Sequence, residues 1–217
     1  MNVRYCVECG DYSVSERYDN ESDINRRCLV CNTDSVLPLH IQHTRLVTLA
    51  NQMSKEFPNK RFLDERPQYR PLNYLIEALV HAKYFIHIVT ESTDRFFLGM
   101  LALKFFDQDM QINVVVWHPN RIYQDLGWLW QHSRILKGYG TRERIFTTGI
   151  RIDAIPDAHQ KFIIIDGCIA FEGSANASLV GWTEQGNSIK FTIDPKEIQL
   201  LNSTYFSAYM ARKRRAS

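Results

Sequence analysis

The sequence predicts an α/β protein with a small metal-binding unit at its N-terminus. From residue 71 onward, short runs of β-branched and aromatic residues alternate with segments of helical periodicity. Such strand–helix–strand alternation indicates a largely parallel sheet with helices on both faces. The polar stretch near the start carries paired cysteines and too few apolar residues for a core of its own. A chain of 217 residues, 45% hydrophobic and 23% charged, can form one sizeable core and a small appendage.

Residues 1–36 contain four of the five cysteines, as two C-x2-C pairs with 18 residues between them. The four are Cys6, Cys9, Cys28 and Cys31. Such pairs suit one tetrahedral structural zinc ion, which would supply the folding free energy that the polar insert cannot. A disulfide framework is the alternative, but the first residues contain no apolar run of signal-peptide length. We therefore predict a zinc ribbon whose site is closed by four thiolates, with no open position for catalysis.

The helices and strands of the main unit, residues 37–217, follow from the hydrophobic period. The predicted helices span residues 37–57, 71–80, 95–106, 120–134 and 195–212, with a short one near 179. The predicted strands span residues 84–90, 111–117, 149–154, 162–165, 168–171 and 188–193. Thr93 or Asp94 is the candidate N-cap for the helix at 95, and Asp194 for the helix at 195, because short oxygen-bearing side chains accept hydrogen bonds from a first turn.

The most informative stretch begins at His159. His159 and Lys161 are two residues apart, so on a β-strand their side chains leave the same face. The apolar run 162–165 is too short and too β-branched for a helix and suits a buried strand. An Asp-Gly turn signal at 166–167 leads into a second apolar strand. After that strand, the small residues 173–176 form a tight loop in which backbone can approach a ligand closely.

Side chains of these types can bind and attack a phosphate. Neutral imidazole is a nucleophile near neutral pH, and lysine is a point charge for non-bridging oxygens. Ser174 and Asn176 can donate hydrogen bonds. The stretch has no cluster of carboxylates to hold magnesium, so the protein's own side chains would have to stabilise the developing charge.

These residues form the pattern H-x-K-x4-D-x6-G-S-x-N, and in it the chain resembles the phospholipase D superfamily. The matching residues are His159, Lys161, Asp166, Gly173, Ser174 and Asn176. Six fixed positions would match by chance in on the order of one in a million sequences of this length. The resemblance implies a phospholipase D-like α/β/α sandwich with a mixed central sheet over residues 37–217. It also implies phosphodiester cleavage through a covalent phosphohistidine.

The pattern occurs once, and this predicts a homodimer. The exchange needs one histidine to attack phosphorus and a second to protonate the leaving alkoxide. No second H-x-K-x4-D occurs in the chain. Single-copy members of the superfamily bring two motifs together across a two-fold axis. We therefore expect an isologous dimer in which His159 and its symmetry mate flank one phosphate and titrate as a coupled pair.

The resemblance also implies roles for the residues of the motif. His159 is the nucleophile in one subunit and the general acid and base in the other. Lys161 and Asn176 bind the non-bridging oxygens and counter the charge of the five-coordinate state. Ser174 orients the loop or donates to phosphate. Asp166 is expected to fix the strand-to-turn geometry rather than to touch substrate.

The chain departs from the superfamily downstream of the motif. Members often carry N-x-E, whose glutamate holds the catalytic imidazole in the right tautomer. The corresponding residues here are Asn187, Ser188 and Ile189. Glu184 or the amide of Asn187 is the candidate for this role. Loss of the orienting carboxylate would lower the activity without abolishing the chemistry, because the nucleophile and the phosphate clamp remain.

The chemistry by itself does not select the substrate. The preferred hypothesis is a metal-independent nuclease acting on DNA or RNA, since no basic amphipathic helix for membrane entry is evident. A phospholipid phosphodiesterase of the cardiolipin type is one alternative. The other is a non-catalytic nucleic-acid-binding adaptor, whose ribbon could also hold other proteins. Several basic residues before the motif either line a phosphate groove or are solvated surface charges; they are Arg134, Lys137, Arg142, Arg144 and Arg151.

Composition adds little about partners or compartment. The formal net charge is only +2, and the basic residues 212–215 are either a nucleic-acid contact or a solvated end. The longest apolar stretch, 96–106, is about half a membrane span and includes a lysine. We therefore expect a cytoplasmic protein with reduced thiols. The four tryptophans could stack on bases, although their spacing favours packing.

Overall fold

The chain folds around a six-stranded sheet. The computed structural model describes residues 44–62, 71–108, 110–117, 119–134, 137, 150–155, 159–183 and 186–207, together with three strands before them. The strands are β1 (Asn2–Cys6), β2 (Tyr12–Ser15), β3 (Val36–Leu39), β4 (Phe85–Thr90), β5 (Gln111–Val116), β6 (Ile150–Ala154), β7 (Phe162–Ile165), β8 (Ile169–Gly173) and β9 (Ile189–Thr192). The helices are α1 (Thr44–Glu56), α2 (Pro71–His81), α3 (Arg95–Gln108), α4 (Pro119–His132), α5 (Leu179–Thr183) and α6 (Pro195–Leu201).

The sheet is mixed and has the strand order β6-β5-β4-β7-β8-β9. Strands β4, β5 and β6 are parallel, whereas the β4–β7, β7–β8 and β8–β9 pairs are antiparallel. The predicted α/β fold with a mixed sheet is confirmed, but the expectation of a largely parallel sheet is wrong. Residues 155–161 are too few for the crossover helix that a further parallel strand needs. Strand β7 therefore begins at the end of the sheet where β6 ends, and it runs antiparallel to β4.

Both faces of the central strand β4 are buried. Ile86 and Ile88 belong to the main hydrophobic core, which also contains residues of α1, α2, α3 and α4. Phe85 and His87 alternate with them and face the other side of the sheet. There, Nδ1 of His87 lies 2.8 Å from Oδ1 of Asn202, in the π-helical turn that follows α6. Burial on two faces explains why this strand has an almost continuous apolar sequence.

Asp94 joins two helices at the end of the sheet that β4 reaches. Its Oδ1 accepts a hydrogen bond from the N–H of Phe97 in α3 (2.9 Å), and its Oδ2 accepts one from the N–H of Leu179 in α5 (2.6 Å). Of the two candidate caps for α3, Asp94 is therefore the one in place. Thr93 instead donates its hydroxyl to the carbonyl of Ala177 at 2.6 Å. One carboxylate thus fixes α3 relative to the loop that follows β8.

The N-terminal strands form a separate antiparallel sheet with the order β2-β1-β3. The predicted helix 37–57 begins later than expected, because Val36–Leu39 pairs with β1 as a strand and α1 starts at Thr44. Local propensity cannot reveal such a long-range pairing. Of the predicted zinc ligands, Cys6 is the last residue of β1, whereas Cys9, Cys28 and Cys31 lie outside the described residues.

The C-terminal helix is capped as predicted. Asp194 is its N-cap, and its side chain accepts a hydrogen bond from the N–H of Lys196 at 2.9 Å. The helix was expected over 195–212, but α6 ends at Leu201 and continues as a wider π-helical turn over Asn202–Ser207. The basic residues 212–215 lie outside the described residues. Within the described part of the chain, no helix is long and apolar enough to cross a membrane.

Candidate active site

Three strands bring the residues of the motif to one end of the sheet. Strand β4 ends there, β7 begins there, and β8 ends there, because Val89 pairs with Phe162 and Phe162 pairs with Glu172. The carbonyl of Lys161 accepts a hydrogen bond from the N–H of Gly173 at 3.1 Å. The start of the motif and its glycine-serine loop are therefore neighbours, although 12 positions separate Lys161 from Gly173 in the sequence.

His159 presents an exposed imidazole at this end of the sheet. Its ring packs edge-on against the indole of Trp117, with 4.7 Å between the ring centroids and 80° between the planes. Trp117 is the first residue after β5, so the neighbouring parallel strand supplies the wall of the site. Among the described residues, no hydrogen bond to the imidazole is present. The imidazole of His159 thus packs against an aromatic ring and remains exposed to solvent.

Lys161 lies beside His159 and is largely covered. Its side chain is 15% exposed, and its Nζ lies 3.2 Å from the backbone carbonyl oxygen of His159. The same ammonium forms an ion pair with Glu91, at 3.2 Å between Nζ and Oε2. Glu91 is the first residue after β4. Sequence reasoning missed both Glu91 and the contact of Trp117, and their position just past the carboxyl ends of two parallel strands is the signal that could have found them.

The loop after β8 holds Ser174 and Asn176 in fixed positions. The hydroxyl of Ser174 donates to Oδ1 of Asn187 (3.2 Å) and accepts from the N–H of Ser188 (2.9 Å). Oδ1 of Asn176 lies 3.3 Å from the hydroxyl of Thr90, the last residue of β4. The loop is therefore tied both to β4 and to the strand that follows it, so its polar groups are preorganised next to Lys161.

Two glycines make this loop possible. Gly173 has φ of +157°, and a Cβ there would lie 1.9 Å from the carbonyl oxygen of Ser188. A Cβ on Gly181 would lie 2.5 Å from the carbonyl oxygen of Asn176. Any larger residue at either position would push the backbone of the loop away from the site. The fold thus requires glycine at position 173 of the motif, because a side chain there would collide with the backbone of Ser188.

Asp166 lies away from the other residues of the motif. It follows β7 at the opposite end from Lys161, so five residues of extended chain, roughly 16 Å, separate the two. Its buried carboxylate accepts backbone hydrogen bonds from Lys83 (2.7 Å), Tyr84 (2.9 Å) and Phe85 (2.8 Å). Asp166 therefore fixes the start of β4, and the structure does not bring it to the same phosphate as Lys161.

Of the two candidates for orienting the imidazole, Asn187 lies within the part of the chain that the structure describes. Glu184 lies outside the described residues. The amide of Asn187 is engaged elsewhere, since its Nδ2 donates to the carbonyl of Gly181 at 2.9 Å and its oxygen accepts from Ser174. The His159 ring packs against Trp117, and its backbone carbonyl accepts a hydrogen bond from Lys161.

The predicted basic groove is only partly within the described residues. Arg151 pairs with Asp153 at 3.3 Å, and Lys137 donates to the carbonyl of Gln131 at 2.7 Å. Arg134, two residues after α4, is exposed, and Arg142 and Arg144 lie outside the described residues. Nothing in these contacts singles out a phosphate groove over solvated surface charge.

The tryptophans separate into packing and surface roles. Trp182 is 5% exposed and packs edge-on against Phe171 in the core. Trp128 is 41% exposed, stacks with His132 on the same helix and lies under the guanidinium of Arg95. Trp117 is the tryptophan that contacts a residue of the motif.

No protein-family model matches the sequence, and no curated protein matches it. The chain is similar in structure to NucT from Helicobacter pylori, with 18% identity, a TM-score of 0.45, and coverage of 65% of this chain and 87% of that one. It is also similar to Nuc, a phospholipase D family member from Salmonella typhimurium, with 16% identity, a TM-score of 0.45, and coverage of 62% and 83%. A third likeness is to TrmBL2, an archaeal chromatin protein, with 11% identity, a TM-score of 0.44, and coverage of 73% and 59%. Likenesses of this degree do not decide an activity, so the function proposed below rests on the residues of this chain.

Proposed function

We propose that this chain is a phosphodiesterase of the phospholipase D type that cleaves DNA or RNA without a catalytic metal, through a phosphohistidine. The observation that carries the proposal is the placement of the motif. An exposed imidazole, a partly buried ammonium and a preorganised serine–asparagine loop meet at one end of the sheet, at the spacing of the superfamily pattern. The zinc ribbon at residues 1–36 and the homodimer are parts of the same proposal.

The reaction proceeds in two displacements at phosphorus. A nitrogen of His159 attacks, the P–N bond forms, and the P–O bond to the leaving alkoxide breaks while a second imidazole donates a proton to that oxygen. The second imidazole then takes a proton from water, which attacks phosphorus and releases the histidine. Lys161 and Asn176 bind the non-bridging oxygens, where charge develops in both transition states.

The second imidazole is supplied by a second copy of the chain. Among the described histidines, His87 is fully buried and hydrogen bonded to Asn202, and burial lowers its pKa to about 3. An imidazole with that pKa is uncharged at neutral pH and therefore cannot serve as the general acid. His81 is the last residue of α2 and precedes the start of β4, at the opposite end of that strand from Lys161. His132 stacks on Trp128 in the last turn of α4. A two-fold axis near His159 brings two equivalent imidazoles to one phosphate.

A substrate panel tests the proposal. Pure protein is incubated with labelled single- and double-stranded DNA, RNA and cardiolipin vesicles, with and without brief exposure to EDTA. We expect cleavage of nucleic acid that survives EDTA and falls by about 10³-fold or more in His159→Ala, since both displacements use this residue. His132→Ala is the matched control, because it removes an exposed imidazole from the surface and should leave the rate unchanged.

The other outcomes point to the other hypotheses. Cleavage of cardiolipin alone, dependent on His159, would favour a phospholipid phosphodiesterase. Tight binding of nucleic acid without cleavage would favour a non-catalytic adaptor. An active His159→Ala protein, or activity that strictly requires added magnesium, would reject the mechanism.

Mixing the two kinds of subunit tests the homodimer. If each site needs two imidazoles, an equal mixture of wild-type and His159→Ala subunits that exchange freely keeps about one quarter of the wild-type activity, since only pure wild-type dimers have both. A monomeric site would keep about one half. Sedimentation at the assay concentration must show the dimer in the same samples.

A further inference from the structure

Glu91 brings a negative charge to the end of the sheet that holds the motif. Its Oε2 lies 3.2 Å from Nζ of Lys161, and the two side chains are 42% and 15% exposed respectively. The Lys161 side chain is largely covered, and among the described residues the Glu91 carboxylate is the acidic group that pairs with its ammonium. Glu91 itself can be reached from solvent. A phosphate oxygen that approaches Lys161 must therefore approach the carboxylate as well.

We propose that Glu91 makes this site selective for phosphodiesters over phosphate monoesters. This inference rests on the proposed phosphodiesterase function and names the phosphate class within it. A diester carries one negative charge, whereas a monoester carries about 1.5 to 2 at pH 7. The repulsion from a fixed carboxylate grows with the charge of the phosphate. Glu91 also neutralises part of the Lys161 charge. The attraction between Lys161 and the phosphate, which could offset the repulsion, is therefore reduced as well.

The selectivity has a consequence for substrate and product. Internal linkages of a nucleic acid are diesters, so they meet the smaller repulsion, while phosphorylated ends meet the larger one. Hydrolysis breaks one P–O bond, adds water and leaves a monoester that gains a second negative charge. The product is therefore repelled more strongly than the substrate it came from. Glu91 favours attack within a strand and release of the cleaved end.

The size of the effect follows from Coulomb's law. Two unit charges 4 Å apart interact by about 1 kcal/mol in a medium like water, which is about a fivefold change in affinity for each unit of phosphate charge. Removing the Glu91 charge should therefore strengthen binding of a diester by about fivefold and of a dianionic monoester by about 25-fold. Added salt should reduce both factors, because the pair is partly exposed.

The experiment measures Glu91→Gln with two small ligands at pH 8 and low ionic strength. The substrate is bis(p-nitrophenyl) phosphate, a chromogenic diester, and the competitor is phenyl phosphate, a monoester. We expect the Ki of phenyl phosphate to fall about 25-fold and the KM of the diester about fivefold, with kcat within about twofold of wild type. Glu77→Gln, which removes the same charge from an exposed position on α2, should change neither constant.

Three results would overturn the inference. An unchanged Ki, or equal shifts of Ki and KM, would show that Glu91 does not discriminate by charge. A lower kcat with an unchanged KM would make Glu91 a positioning residue for Lys161. If wild type lacks hydrolysis that depends on His159, the proposed function fails instead. Calorimetric titration with phenyl phosphate then tests Glu91 separately, since the Glu91→Gln variant must bind it about 25-fold more tightly.

Discussion

Replacing Asp166 by asparagine tests whether the aspartate of the motif serves the fold or the substrate. The side chain is 3% exposed, and its carboxylate accepts hydrogen bonds from three successive backbone N–H groups, those of Lys83, Tyr84 and Phe85. Asp166 has φ of +49°, a conformation that asparagine tolerates as well as aspartate. The substitution therefore changes charge and hydrogen bonding without adding backbone strain.

The expected loss can be worked out bond by bond. Oδ1 accepts from Tyr84 and Phe85, and Oδ2 accepts from Lys83. An asparagine can keep the first two bonds through its oxygen, but its NH₂ then faces the N–H of Lys83. The lost bond to a charged acceptor contributes about 1.5–3 kcal/mol, and the two retained bonds weaken because they become neutral. The free energy of unfolding should fall by about 3 kcal/mol, or about 6–12 °C in Tm for a chain of this size.

Urea denaturation followed by circular dichroism measures this loss. Asp194→Asn is the matched control, because Asp194 accepts one N-cap hydrogen bond and asparagine caps a helix equally well, so its effect should stay under about 0.5 kcal/mol. Below its Tm, the Asp166→Asn protein should keep the wild-type kcat. An Asp166→Asn protein as stable as wild type would refute the structural role of Asp166. A variant that is fully folded but has lost hydrolysis would show that Asp166 acts on the substrate.

Four further predictions concern stability and the thiols. Burial lowers the pKa of His87 from 6.5 to about 3, so between these pH values the unfolded chain binds a proton that the folded chain does not. The free energy of unfolding should therefore fall by about 2 kcal/mol from pH 7 to pH 5. The His87→Gln variant should not show this fall. The buried hydroxyl of Ser54 in α1 has no hydrogen-bond partner among the described residues, so Ser54→Ala should raise the free energy of unfolding by about 0.5–1 kcal/mol in the same urea assay; a loss would contradict this. Burial and the nearby Asp166 carboxylate raise the pKa of the Cys168 thiol to about 12, so iodoacetamide at pH 8 should leave it unmodified until the chain unfolds. The four predicted zinc cysteines should react only after chelation, with release of about one zinc ion per chain, and a chain without zinc would contradict the ribbon.

Most helices and strands of the main unit could be predicted from the sequence, since their hydrophobic period is a local property. Pro71 begins α2 and Asp194 caps α6, as expected, because each acts through its own first turn. Two predictions were wrong because the structure of those segments depends on distant parts of the chain. Val36–Leu39 is a strand because β1 lies beside it, and β7 runs antiparallel to β4 because of the short connection that precedes it.

The sequence by itself determined which residues could perform chemistry on a phosphate, because the histidine, lysine, serine and asparagine all belong to one hairpin and the loop that follows it. The tertiary structure decided which other side chains surround them. Glu91 and Trp117 follow two strands that are distant in sequence, and parallel pairing of β4 with β5 brings both to the end of the sheet where β7 begins. The tertiary structure also places Asp166 and Lys161 at opposite ends of the sheet, because the extended strand β7 lies between them. Pairing between strands has no local sequence signal, and these neighbours set the charge around the lysine and the position of the imidazole.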